Sequence, residues 1–334
     1  MTVARRQHFF LADRGHGLPY SKGLAAASLM VTGLTPARSY VVANKVEEEL
    51  KLHPAGNSTP SYMRELTLEV LGREAGSKYV EAFLKWESVA ELDGPLIILI
   101  GGATGVGKST IATQLATRLG ITRVVSTDAV REVLRSAFTA QMFPTLYSSS
   151  FEADNAVRQP IPNSGDRLII GFREQAAAVA VGAQALIDRA VAEGTDMILE
   201  GAHLVPGFLQ SVDSEEAVIV SLVITVDDEQ LHRDHFHRRS REARPKDRYL
   251  ESFDKIRRIQ RYMVSSALMR EVPTIEHCDD VDATLSKIID HVLTRALKTV
   301  EQGTRAGSEE PVRPAAEPLS LGGRQEDIAH ESIS

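Results

Sequence analysis

The stretch PLIILIGGATGVGKST, residues 95–110, constrains this chain more than any other. Its first part is apolar without alternation, as in a strand buried on both faces of a parallel sheet. Four glycines then fall within the ten residues GGATGVGKST. That density suits neither a strand nor a helix interior, because glycine gives up the most backbone freedom on ordering. From Gly102 to Ser109 the spacing is G-x-x-x-x-G-K-[ST], set between a strand and a helix pattern. This is the context that marks a phosphate-binding loop. Glycine lets backbone N–H groups converge on a polyphosphate, and the helix N-terminus adds further N–H groups and partial positive charge. Gly102, Thr104, Gly105, Val106, Gly107, Lys108, Ser109 and Thr110 are expected to line the loop. Lys108 is expected to reach the β and γ phosphates, and the Ser109 hydroxyl to ligate Mg²⁺.

The surrounding pattern predicts an α/β fold, a doubly wound parallel five-stranded sheet behind a smaller helical block. Strands are expected at PLIILI, RVVSTD, DMILEG, AVIVSLVITV and PTIEH, with helices between them. Residues 138–167 hold several prolines and read as an inserted loop, and a long helix is expected over about 168–193. Before position 90 the spacing of Val42, Val46 and Leu50, and then of Met63, Leu66, Val70 and Leu71, is helical. Ser58 or Thr59 before Pro60 suits a helix start. The expected units are 8–91, helical; 92–302, the phosphate-binding α/β domain; and 303–334, a disordered tail rich in Gly, Pro, Ser and Glu.

Three further places carry chemistry. Asp128, in VVSTDAVREVLR, closes the second strand, where a carboxylate takes a proton from a substrate hydroxyl or holds the Mg²⁺ shell. The simpler reading is a helix cap, and the two are compatible. Arg131, one turn on, suits a substrate phosphate or carboxylate. Glu200 ends the third strand, where a carboxylate holds metal-bound water, and His203 lies just beyond it at the sheet edge where open α/β sheets bind ligands. The metal set is thus Ser109, Asp128 and Glu200. Finally, the segment HRDHFHRRSREARPKDRYLESFDKIRRIQR concentrates arginines. Arg244 and Arg248 read as catalytic groups of a mobile cationic lid, and Arg238 and Arg257 as substrate contacts. Most charge runs are merely solvated faces.

With 38 Lys and Arg against 45 Asp and Glu, the net charge is −7. No global attraction to nucleic acid or to an acidic membrane follows, so neither is expected as a partner. Acids are mixed into the basic run and aromatics are few, which also argues against single-stranded nucleic acid. No apolar run reaches membrane-spanning length, and the apolar run near the start is too short for a signal-peptide core. The single cysteine, Cys278, fits a reducing cytoplasm.

The blocks SKGLAAASL, IILIGGATGVGKSTIATQLATRLGI, VVSTDAVREVLR, EGAHLVPGF and RYLESFDKIRRIQRYM, in this order, resemble the 2-phosphoglycerate kinase family. The resemblance covers about residues 8–295. It implies ATP and Mg²⁺ as cofactors, a small phosphorylated hydroxy acid as partner, and transfer to the 3-hydroxyl of 2-phospho-D-glycerate. It also implies that residues 8–91 are similar to an ATP-cone, with Lys22 as the cone's lysine. Two other readings of the residues stay open: a kinase of another phosphorylated polyol, such as an inositol phosphate or a zeta-toxin-like substrate, and a nucleotide-sensing regulator with little turnover.

Overall fold

The computed structural model describes residues 20–52, 59–90, 94–158, 160, 165–210, 216–238 and 246–308. Among the described residues the first elements are α1 (Lys22–Leu29), a short 3-10 turn (Met30–Thr32), α2 (Pro36–Leu52), α3 (Pro60–Glu74) and α4 (Ser77–Ala90). Local chemistry sets these boundaries. Ser21 caps α1 by accepting from the Leu24 N–H, and Thr59 caps α3 by accepting from the Tyr62 N–H, with Pro60 just inside the helix. The four-residue spacing read in the sequence becomes a helical core: Val42, Val46, Val70 and Leu71 are buried with Leu29, Leu34 and Phe83.

The rest is a five-stranded parallel sheet, β1 (Leu96–Gly101), β2 (Arg123–Ser126), β3 (Met197–Gly201), β4 (Val218–Thr225) and β5 (Thr274–Glu276), in the order β2-β3-β1-β4-β5. All six β1 residues are buried. Leu96, Ile98 and Ile100 join one core with Ile111, Leu115, Phe172, Ile256, Met263 and Ile288. Ile97 and Leu99 join another with Ala183, Ile187 and Leu199. Successive side chains leave a strand on opposite faces, so an unbroken apolar run requires cover on both sides. Helices α5 (Lys108–Leu119), α7 (Arg167–Glu193), α10 (Phe253–Met269) and α11 (Val281–Ser308) provide it. Glycines in the left-handed region end two of them, Gly120 after α5 and Gly194 after α7.

One expectation needs correction. β2 stops at Ser126, and α6 (Thr127–Ala137) begins at once. Asp128 therefore lies in the first turn of a helix rather than on a strand. Ser126 holds the cap, its hydroxyl accepting from the Ala129 N–H at 3.2 Å. In the sheet β3 stands between β1 and β2 and borders the strand leading into the glycine loop. The proline-rich insertion holds two 3-10 helices, Pro144–Tyr147 and Ser150–Ala156, the second packed against α7. Helices α8 (Glu229–Arg238) and α9 (Lys246–Glu251) follow β4.

The helical block is seated on the α/β domain. Val31 and Val89 belong to the sheet's core rather than to the block's own. Ser286 of α11 donates to the Gly33 carbonyl at 2.8 Å, and buried Arg118 of α5 reaches the Leu34 carbonyl and Asp282. A chain starting near Leu92 is expected to keep a folded α/β unit but to melt at a lower temperature, because removal of the block exposes this apolar seat. Calorimetry on the shortened chain checks this, and an unfolded product would show that the block is part of one core. Of the tail expected over 303–334, residues 303–308 instead continue α11, and 309–334 lie outside the described residues, as does the stretch before Tyr20. Among the described residues no helix is long and apolar enough to cross a membrane.

Candidate active site

The loop from Gly102 to Gly107 joins β1 to α5 at the carboxyl edge of the sheet. Gly105 has φ 91° and Gly107 φ 90°, a conformation that L side chains rarely adopt. At Gly105 space forbids a side chain as well, since an added Cβ would lie 2.3 Å from the Phe236 ring. No side chain caps α5, whose N-cap is Gly107, so its first N–H groups stay directed into the loop. Lys108 is buried and lies over the loop, its Nζ donating to the Ala103 carbonyl at 2.8 Å.

Glu200 is in register with Ile100, two residues ahead of the loop. Its Oε1 accepts from the Ser109 hydroxyl at 2.9 Å. A hydroxyl and a buried carboxylate that converge at the mouth of a phosphate loop form a hard-oxygen donor set, which fits Mg²⁺. The structure thus joins two residues that lie 91 positions apart in the chain.

On the other side of Glu200, Ser126 is its register partner on β2. This brings the first turn of α6, with Asp128 and Arg131, to the same end of the sheet. Asp128 is largely exposed, and its carboxylate lies 3.9 Å from the Arg131 guanidinium. Arg131 is mostly buried and donates to the Ser148 carbonyl at 2.9 Å. Its Nε is buried with no hydrogen-bond partner. His203 lies beneath this group, fully buried between Thr127 Oγ1 at 2.9 Å and Gln175 Oε1 at 3.2 Å. Burial pushes its pKa down to about 4, and it feels the charges of Asp128, Arg131 and Lys108. Both ring nitrogens are taken by protein groups, so its direct partners are Thr127 and Gln175.

The arginines of the basic segment are dispersed. Arg257 donates to the Val226 and Asp227 carbonyls and ties α10 to the end of β4. Arg238 pairs with Asp279, just past β5, at the sheet edge opposite α6. Arg248 donates to Glu152 at 2.9 Å and to Ser149 at 2.9 Å, which links α9 to the insertion beside Ser148. Arg244 lies outside the described residues. Of the arginines expected at the substrate, Arg131 shares a flank with Asp128 and Glu200, and Arg248 is joined to the insertion that anchors Arg131.

The same segment contributes residues that the arginine count hid. His232 and His235, three apart on α8, face the loop together. Their rings bond the Thr104 carbonyl and the Gly105 carbonyl, each at 2.9 Å. Carbonyls that point outward in this loop leave the N–H groups pointing inward, so these histidines hold the cradle open. The H-x-x-H spacing was the available signal.

Buried histidines also predict acid sensitivity. Burial lowers His232 to about 4 as well as His203. An unfolded histidine titrates near 6.5. Below that pH the unfolded chain binds protons that the folded chain does not. Stability conferred by the neutral rings is therefore complete above about 6.5 and lost as pH falls toward 4. Each ring contributes a slope of about 1.4 kcal/mol per pH unit inside that window. The melting temperature is expected to drop between pH 6.5 and 5, before most carboxylates titrate, and to drop less in His203→Gln. Equal slopes in the two proteins would contradict this.

A family profile described as "AAA domain" matches residues 97–262, the stretch from β1 into α10. Among curated proteins, the 2-phosphoglycerate kinase of Methanothermobacter thermautotrophicus is 37% identical over 294 residues, spanning 87% of this chain and 94% of that protein. Those of Pyrococcus furiosus and Methanocaldococcus jannaschii are each 36% identical, spanning 88% and 86% of this chain and 96% and 91% of theirs. These matches run through the helical block as well as the sheet. Identity at this level over nearly the whole of both chains, joined to a phosphate loop with its carboxylate partner, places this chain in the 2-phosphoglycerate kinase family.

Proposed function

We propose that this protein transfers the γ-phosphoryl group of ATP to the 3-hydroxyl of 2-phospho-D-glycerate, giving 2,3-bisphosphoglycerate and ADP. The observation that carries the reading is the meeting of two sets of groups at one sheet edge. Lys108, Ser109 and Glu200 gather at the glycine loop. Asp128 and Arg131 stand on the neighbouring helix turn, on the far side of Glu200.

In this reading Ser109 and Glu200 hold Mg²⁺, which neutralises phosphate charge when bound. Lys108 swings from the Ala103 carbonyl to the β and γ phosphates. Asp128 accepts the proton of the attacking hydroxyl, since its carboxylate is solvent-facing and free to orient. Arg131 binds the acceptor's phosphate or carboxylate, a bidentate match for guanidinium. Such an acceptor brings about three negative charges beside ATP, and like charges in a water-poor crevice repel strongly. Fixed cations are therefore required on the acceptor side. Arg131 and Arg248 supply them.

Arg131→Ala is expected to raise the KM for 2-phosphoglycerate about tenfold or more while leaving the KM for ATP within about twofold. Steady-state kinetics with both substrates varied checks this. The reading itself is tested by ATP consumption with 2-phosphoglycerate, with inositol phosphates and with no acceptor. Turnover that needs 2-phosphoglycerate supports it, and turnover with inositol phosphates alone, or an equal rate without acceptor, overturns it.

A further inference from the structure

A buried polar chain runs beneath the acceptor side of the site, and Gln175 of α7 is its centre. Gln175 has no exposed surface. Its amide Nε2 donates to two carbonyls, of Thr145 and, at 2.8 Å, of Ser148. Two acceptors fix which end of the amide is nitrogen. Oε1 must then accept, and its partner is His203 Nε2 at 3.2 Å. His203 therefore carries its proton on Nε2, and Nδ1 is left as an acceptor for the Thr127 hydroxyl at 2.9 Å. Every donor meets an acceptor along the chain, and the neutral ring that burial enforces is the ring that this order needs.

Both ends of the chain reach groups placed at the acceptor. The Ser148 carbonyl that Gln175 holds also receives the Arg131 guanidinium. Thr127 is the residue before Asp128, in the first turn of α6. Close packing keeps this end in place: a Cβ on Gly201 would fall 1.7 Å from Thr127 Oγ1, so β3 must present glycine there.

We propose that Gln175 is a positioning residue for the acceptor half of the site. It fixes the Ser148 carbonyl that aims Arg131 and, through His203 and Thr127, the helix turn that carries Asp128. The proposal rests on the phosphoryl-transfer reading above, in which Arg131 meets the acceptor. A buried network of this kind is rigid only when all its members are satisfied, so loss of one member loosens the rest.

Gln175→Leu keeps the volume and removes all three bonds. It is expected to raise the KM for 2-phosphoglycerate about tenfold, with the KM for ATP within about twofold. In an Arg131→Ala background the same change is expected to add less than about twofold, because the route through the Ser148 carbonyl has gone and only the weaker one through Thr127 remains. Thr127→Val, which removes only the hydroxyl, serves as a milder probe if Gln175→Leu does not fold, and is expected to move the acceptor KM in the same direction. A general packing defect would instead lower kcat by reducing the folded fraction, and would leave both KM values alone.

Hydrogen exchange on the ligand-free protein supplies an arm that needs no acceptor. Gln175→Leu, or Thr127→Val in its place, is expected to speed exchange in 127–131 and 144–157 and to leave 102–110 unchanged. Unchanged exchange in 127–131 and 144–157 overturns the proposal, as does an equal rise in both KM values or full additivity with Arg131→Ala. Wild-type enzyme inert toward 2-phosphoglycerate would overturn the substrate reading instead, and the exchange arm would still decide the role of Gln175.

Discussion

Lys108→Ala is expected to lower kcat by about a hundred- to a thousandfold without unfolding the protein. The ammonium is a fixed cation aimed at phosphate oxygens, and removing one preorganised stabiliser of transferring charge costs about that much. Its stem packs at the mouth of the loop, where Nζ donates to the Ala103 carbonyl five residues away. Melting temperature is expected to stay close to wild type, so that loss of rate and loss of fold are separable. Turnover within about threefold of wild type would remove the loop from the chemistry.

Glu200→Gln is the second large effect. The carboxylate accepts from Ser109 and is buried beside β1. Its neutral isostere keeps shape and burial but loses the charge that attracts Mg²⁺. A loss of about 10- to 100-fold in apparent Mg²⁺ affinity is expected, with partial recovery of rate at high Mg²⁺. Ser109→Ala should shift the same titration in the same direction. A rate that falls without any change in Mg²⁺ dependence would take Glu200 out of the metal's surroundings.

Much of this architecture was legible because its causes are local. The apolar run of β1, the glycine loop and the spacing of Lys108 and Ser109 occupy one short stretch, and burial on both faces follows from the absence of alternation. Glu200 was legible for the same reason, as the carboxylate that ends a buried strand. The strand order was not. Whether β2 or β3 borders β1 depends on how crossover helices pack, and the sequence reads the same either way. Asp128 was misplaced by two residues because Ser126 and Thr127 suit a strand end and a helix start equally.

The basic segment misled for a different reason. Arginine density predicts positive potential, not direction. Arg257 spends its guanidinium on the Val226 and Asp227 carbonyls, about thirty residues away in the chain. Arg238 turns to Asp279. His232 and His235, inconspicuous among the charges, bond the loop itself. Gln175 gave no sequence signal at all, since its partners at Thr145, Ser148 and His203 meet it only through the tertiary fold.

Transfer of one phosphoryl group to the free hydroxyl of 2-phosphoglycerate leaves a distinct pair of phosphorus products. Phosphorus NMR of the enzyme with ATP, Mg²⁺ and 2-phosphoglycerate tests it most directly. The ester at carbon 2 is expected to be retained, a second monoester to appear at carbon 3, and ADP to form in equal amount. ATP loss no faster than in the acceptor-free control, or a product phosphorylated on the carboxylate instead of the hydroxyl, would contradict it.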